Sequence, residues 1–282
     1  MKKRIIPFLI FCTFYQFINS QEFNTKIESN NSNSESNLFI GLDITNRYVW
    51  RGQVLGGKHI AIQPTIEWYV TDNLTLGAWA TTNFQNKNYN SNGFTPKGYL
   101  ELDLYTSYAL NDFLTIELYD YYWPSLDKSE EIDNDYLNYG ENGVKTVDLN
   151  LVFDFSEIWI PLNATVSTFL AGNDYRYDEN DENPKQNFTT YVEFGYTIEN
   201  VFKIFDLNQT IGVVLNNKAE YYYYADYNKV SFINLKLELL KEFKISNNYV
   251  LPFSIKYIHN AATKNTESIG KNFLVATLYF AL

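Results

Sequence analysis

From Leu38 onwards, apolar side chains recur at every second position in segments of about ten residues, the period that puts them on one face of a β-strand. Leu38, Ile40, Leu42 and Ile44 alternate with Gly41, Asp43, Thr45 and Arg47, and Ile60, Ile62, Ile66, Trp68 and Val70 alternate with Ala61, Gln63, Thr65, Glu67 and Tyr69. The rhythm returns around Leu76, Leu102, Ile116, Leu149, Ala164, Phe194, Ile211, Leu237, Phe253 and Leu278, which predicts twelve strands. Helical spacing never persists. Each segment is near the roughly 9 to 11 residues that a tilted strand needs to cross a bilayer.

The connections supply a second pattern. Thr71 to Asn73, Asn111 to Asp112, Ser156 to Ile160, Asn200 to Lys203 and Lys244 to Asn248 are short. Between them fall a moderate Gly52 to Gly57 and the long Gln85 to Lys97, Pro124 to Gly143, Gly172 to Asn187, Asn216 to Asn228 and Asn260 to Lys271. Strict alternation of short turns and long loops is expected of an all-β, antiparallel up-and-down transmembrane barrel, with its short turns periplasmic and its long loops extracellular. An even strand number then puts both termini in the periplasm. Pro64 interrupts the second strand, where a bulge or irregularity is expected because proline cannot donate to the ladder.

Composition sharpens the picture. The chain has 24 Tyr, 21 Phe and 5 Trp, yet a mean hydropathy of -0.30. Side chains with one apolar and one wet end suit the membrane interface, so the tyrosines are expected in its aromatic belts. No mature segment reaches the roughly 18 apolar residues of a membrane-spanning helix. The only long apolar run, Ile5 to Phe17, follows Lys2, Lys3 and Arg4, and residues 1–20 read as a secretory signal peptide cut near Ser20. Residues 21–37, rich in Ser and Asn, read as a flexible lead-in, and 38–282 as the barrel. The single cysteine, Cys12, lies in the leader, which excludes disulfides from the mature chain. Removing three positive charges and no negative ones takes the net charge from -11 to -14, so nucleic acid is not an expected partner.

The segment from Gly41 to Gly52, GLDITNRYVWRG, followed by Gln63, Pro64, Gly77, Ala78 and Trp79, resembles the opening strands of the TorF-like porin family of outer-membrane β-barrels. Over about forty-five barrel residues the resemblance implies a porin-like barrel, and it implies neither a substrate nor a catalytic residue. Such a barrel would have outer-membrane lipid and lipopolysaccharide, small solutes or ions, and the barrel-insertion machinery as its partners.

Lipid-facing Lys or Arg costs roughly 2 to 4 kcal/mol at the midplane, so charge should avoid the apolar faces. Asp120 is the exception, near a strand end where a bulge would turn it inward. The inward-facing set comprises Asp43, Glu67, Glu101, Asp103, Glu117, Asp148, Asp154, Glu193, Asp206 and Glu238, against Arg47, Arg51, Lys236 and Lys256. Such a wall either raises the local concentration of cations in a water-filled pore or forms hydrogen-bonded plugs that fill a narrow barrel. Arg47 and Arg51, on one strand face, are either poles of a transverse field or partners of buried acids. The acidic loop from Asn173 to Glu182 lacks the glycine and terminal glutamate of a calcium loop and reads as solvated. Tyr221 to Tyr224 reads as belt or loop packing, or else as a carbohydrate platform. Only His59 and His259 are available to a hydrolase, and neither has an evident serine partner.

These residues therefore predict a channel for passive diffusion of small solutes or ions, mildly cation-preferring, with no cofactor or metal cluster and no enzymatic activity. A closed structural or adhesive barrel is the alternative, and an outer-membrane hydrolase the third.

Overall fold

The structure, a computed structural model, describes residues 37–85, 98–126, 132–156, 160–177, 183–216, 219, 221–222, 230–247, 249–262 and 270–281. The leader 1–20, nearly all of the lead-in and Leu282 lie outside the described residues. The chain forms β1 (Leu38–Thr45), β2 (Val49–Trp50), β3 (Gln53–Val54), β4 (Ala61–Tyr69), β5 (Leu74–Thr82), β6 (Leu100–Asn111), β7 (Leu114–Tyr122) and β8 (Lys145–Asp154). It continues with β9 (Leu162–Gly172), β10 (Tyr175–Arg176), β11 (Lys185–Gln186), β12 (Thr190–Val201), β13 (Phe205–Val214), β14 (Ser231–Lys244), β15 (Val250–His259) and β16 (Asn272–Ala281). Twelve of these close into one antiparallel barrel in which each strand pairs with its sequence neighbour, and β1 meets β16. The remaining four form two small hairpins, β2–β3 and β10–β11, inside long connections.

Alternation along the strands decides which side faces where. On β6, Glu101, Asp103, Tyr105, Ser107 and Ala109 are buried while Leu100, Leu102, Leu104 and Tyr108 are exposed. The exposed apolar set runs round the whole cylinder, through Ile40, Ile66, Trp68, Leu118, Phe194, Ile211, Leu237, Ile255 and Leu274. The barrel is thus inside out relative to a soluble protein: apolar outside, polar within. Its core is the lumen itself, where Tyr48, Trp79, Tyr105, Tyr119, Tyr121, Phe169, Tyr191 and Tyr222 make one packed cluster. Many of the tyrosines expected in a membrane belt are therefore inside, on the same strand faces as the carboxylates.

One expectation changes here, and another is met in its milder form. Asp120 does not turn inward: β7 keeps regular register with β8 through Asp120↔Val147, and the side chain stays on the outer face. It is paired with Lys145, also outward on β8, and the tyrosines of the 123–144 connection cover both. Lys145 Nζ stands 3.7 Å from the centroid of the Tyr136 ring and its side chain is fully covered, while that of Asp120 stays 26 % exposed. At Pro64 the expected irregularity is a gap in the ladder and not a bulge. The pairing of Pro64 with Leu42 on β1 is in register, and on the β5 side the pairs resume in the same register at Thr65↔Trp79 after skipping Gln63 and Pro64. Pro64 is on the exposed face, so the missing donor costs one gap in the ladder rather than a slip of register.

One rim carries connections of two to seven residues, the other connections of twelve to twenty-two. The described chain enters β1 and leaves β16 on the short-turn rim.

Candidate functional site within the barrel

The largest departure from expectation is in the first connection. Arg47 and Arg51 do not share a strand, because β1 ends at Thr45 and residues 46–60 form one of the long connections. Half-buried Arg47 lies at the strand end, while residues 49–54 double back as the β2–β3 hairpin and enter the lumen. The turn is made by Arg51 and Gly52, at φ of 45° and 76°. Positive φ at both central residues is the two-residue turn whose twist suits a β-hairpin, and glycine is natural at the second place. A Cβ on Gly52 would stand 1.7 Å from the carbonyl oxygen of Ile233, so the hairpin tip presses on β14 across the lumen. Ile233 is the extra residue of a β-bulge between β13 and β14, fully buried beside Asn234.

Arg51 is held from several sides. Its Nη1 donates to the Tyr222 hydroxyl at 2.7 Å, and its Nη2 donates to Asp148 Oδ2 at 3.1 Å and to Asn150 Oδ1 at 3.2 Å. The guanidinium carbon is 4.5 Å from the Trp50 ring centroid and 4.7 Å from that of Tyr191. Trp50 and Tyr222 are themselves stacked, 5.5 Å apart and 8° from parallel. Asp148 is fixed in turn, accepting from the Tyr121 hydroxyl at 3.0 Å and from Ser167 Oγ at 2.6 Å. A second bulge, whose extra residue is Leu170 on β9, lies opposite the step from Val147 to Asp148. Asn260 Nδ2 donates to the carbonyl of Gly52, and Asn83 Nδ2 to that of Gly56, so two further connections tether the hairpin.

The other inward carboxylates meet tyrosines. Glu67 accepts from Tyr105 at 2.7 Å and from Tyr69 at 3.0 Å, and Glu101 accepts from Tyr99 at 3.0 Å. Tyr105 reaches Glu67 across Gly77, where any Cβ would collide with the phenol ring at 2.0 Å. Glu193 accepts from Tyr191 and, at 2.9 Å, from Asn234. Lys256 lies 3.3 Å from Glu238, directly opposite it between β15 and β14. Asp43, Asp103, Glu117 and Lys236 are also inward and buried. Asp154 and Asp206 are half-exposed near the short-turn rim: Asp154 lines a cavity of about 340 Å³ with Asn163, Thr197 and Glu199, and Asp206 accepts from the Asn200 amide.

Among the described residues, eight buried inward carboxylates of the strand wall stand against three buried inward cations, Arg51, Lys236 and Lys256, while the buried Lys145 is on the outer face. Asp43 Oδ2 and Asp103 Oδ1 have no hydrogen-bond partner there. No group of three or more His, Cys, Asp or Glu suited to a metal ion occurs among the described residues. His259 Nδ1 lies 2.8 Å from Asn272 Oδ1, and neither histidine is hydrogen-bonded to a serine among those residues.

Beyond the strands, Asp174 is buried and accepts from the Thr189 amide at 2.8 Å. Burial raises its carboxyl above the usual range while the Thr189 and Gln186 hydrogen bonds oppose the rise. It closes the β10–β11 loop on itself, and residues 178–182 lie outside the described residues. Tyr221 and Tyr222 are inside the barrel against Phe169 and Trp50, whereas Tyr223 and Tyr224 are outside the described residues.

Tyr222 reaches Arg51 from a position more than 170 residues away, and no local signal marks it. The lumenal tyrosines, by contrast, share parity with neighbouring acids, as Tyr119 and Tyr121 do with Glu117, and that signal is readable in the sequence.

Several solved barrels are similar in outline. A NanC porin is 9% identical, with a TM-score of 0.46 over 85% of this chain and 97% of that one. A KdgM porin is 7% identical, with a TM-score of 0.41 over 86% and 99% of the two chains. An outer membrane channel from Pseudomonas putida F1 is 11% identical, with a TM-score of 0.40 over 89% and 97%. At that distance no function passes from them to this chain. No curated protein matches the sequence. Residues 29–265 match the family described as bacterial protein of unknown function (Gcw_chp), and the chain belongs to that family.

Proposed function

We propose that the chain is an outer-membrane, porin-like channel that passes small solutes or ions with a preference for cations, through a lumen narrowed by the β2–β3 hairpin. The observation that carries this reading is the pairing of an exposed apolar exterior with an acidic interior. Only contact with acyl chains makes such an exterior favourable, because a soluble protein gains nothing by exposing a continuous belt of Leu, Ile and Phe. The interior carries more carboxylates than cations, and buried charge without a partner is costly. Mobile cations and water entering from either rim relieve that cost, and anions do not. In this reading the leader directs export, the short-turn rim and both termini are periplasmic, and the long connections meet lipopolysaccharide and the outside. The likeness of the opening strands to TorF-like porins points the same way.

The purified mature chain, refolded into a planar bilayer across a potassium chloride gradient, is expected to give discrete currents with a cation-selective reversal potential. A silent barrel, or an anion-selective potential, rejects the proposal. A second reading draws on the burial of the inward side chains along most of the cylinder: a closed barrel whose long connections bind a partner. Vesicles containing the protein would then fail to swell in isotonic neutral sugar.

A further inference from the structure

The surroundings of Arg51 are those of a ligand site rather than of a simple ion pair. A planar cation lies against two aromatic rings, Trp50 and Tyr191. It donates to a carboxylate, an amide oxygen and a phenol at its edge. Three of these groups, Asp148, Asn150 and Tyr191, belong to the barrel wall, while Trp50 and Arg51 belong to the hairpin that has entered it. Two of the wall groups are preorganised without help from the hairpin. Asp148 is held by Tyr121 and Ser167, and Tyr191 by Glu193 and Asn234. A delocalised, weakly hydrated planar cation satisfies such a set of faces and edges, whereas a compact ammonium satisfies the carboxylate and little else. Two bulges lie beside the site, at Leu170 on the strand facing Asp148 and at Ile233 next to Asn234, and bulges gather where a strand must re-aim a side chain.

We infer that the wall around Asp148, Asn150 and Tyr191 is a binding site for guanidinium-bearing solutes, occupied in the closed barrel by the chain's own Arg51. A solute bearing that group competes with Arg51 for the wall, and its binding favours withdrawal of the hairpin. The inference deepens the channel reading and rests on it for the solute's route into the lumen. Binding itself can be measured without any current.

The test uses the full mature chain in detergent micelles, with Arg51→Gly to vacate the site. The probes are methylguanidinium and methylammonium, of equal charge, the first planar and delocalised and the second compact. Methylguanidinium is expected to raise the thermal unfolding midpoint of R51G and to quench its tryptophan fluorescence saturably, with methylammonium about tenfold weaker or worse. The response should be weaker in the wild type, where the solute must displace Arg51, and lost in R51G/D148N. Equal responses to the two cations, or undiminished binding in R51G/D148N, overturn the inference. So does a wild-type response equal to that of R51G. If R51G does not fold unaided, refolding with methylguanidinium should restore the folded barrel and methylammonium should not, and failure of that rescue also overturns it. Bilayer recording separates the two claims. Discriminating binding without current in any variant removes the channel and keeps the site, and current without discrimination does the reverse.

Discussion

A methyl group at Gly52 has nowhere to go. The turn holds this residue at a φ of 76°, and the carbonyl of Ile233 stands where the Cβ would be. Strain of that kind costs of the order of 1 to 3 kcal/mol before the steric clash is counted. Releasing the hairpin tip is the available relief. In Gly52→Ala the tip should therefore leave β14 and Arg51 should lose its partners, while the strand ladder is untouched. Limited trypsin digestion of the folded protein reads this directly, because cleavage after Arg51 should appear in the variant and be absent in the wild type. Equal resistance in both would mean that the hairpin tip is not wedged against the far wall. Asp120 and Lys145 illustrate the opposite case. A charge on the outer face is tolerated there because a partner and a tyrosine cover stand beside it.

At the scale of the strand, the outer face decides stability through its contact with lipid. Ile255 lies on the exposed face of β15, between Leu239 of β14 and Ala276 of β16. Ile255→Arg is expected to lower the stability of the barrel in lipid vesicles by about 2 to 4 kcal/mol, read from urea titration. A cost within experimental error would show that this face does not lie near the bilayer midplane. The same alternation made the twelve strands readable in the sequence, since oil outside and polar groups inside force a strict period of two. It failed at residues 46–54. Val49, Trp50 and Val54 have strand character, but Val49 pairs with Val54 and Trp50 with Gln53 instead of continuing β1, and the arginine preceding Gly52 in the turn disguises the reversal. Composition alone sends the tyrosines to the membrane interface, because it cannot distinguish a membrane belt from a lumen. Their position in the alternation could, because Tyr105, Tyr119, Tyr121 and Tyr191 stand in step with the acids they serve. The role of Tyr222 depends on a loop folding back through the barrel mouth, and no local pattern encodes that.

For the whole molecule, closure is the organising fact. Every strand but two pairs with its immediate neighbours in the barrel sequence, and the exception joins β1 to β16, with Gly41 opposite Ala281. Without residues 272–281 the remaining eleven strands would be an open sheet with two bare edges, which cannot persist in hydrocarbon. Removing that segment should abolish the folded, heat-modifiable band on gel electrophoresis, whereas trimming residues 86–97, in a long connection, should leave it. Survival of the band in the shorter chain would mean that the cylinder closes some other way. The seam also fixes an order of events in time. Its two halves are the first and last parts of the barrel to leave the ribosome, so nothing can seal until the last strand has been made, and the unfinished cylinder must be kept apart from its own copies throughout that delay.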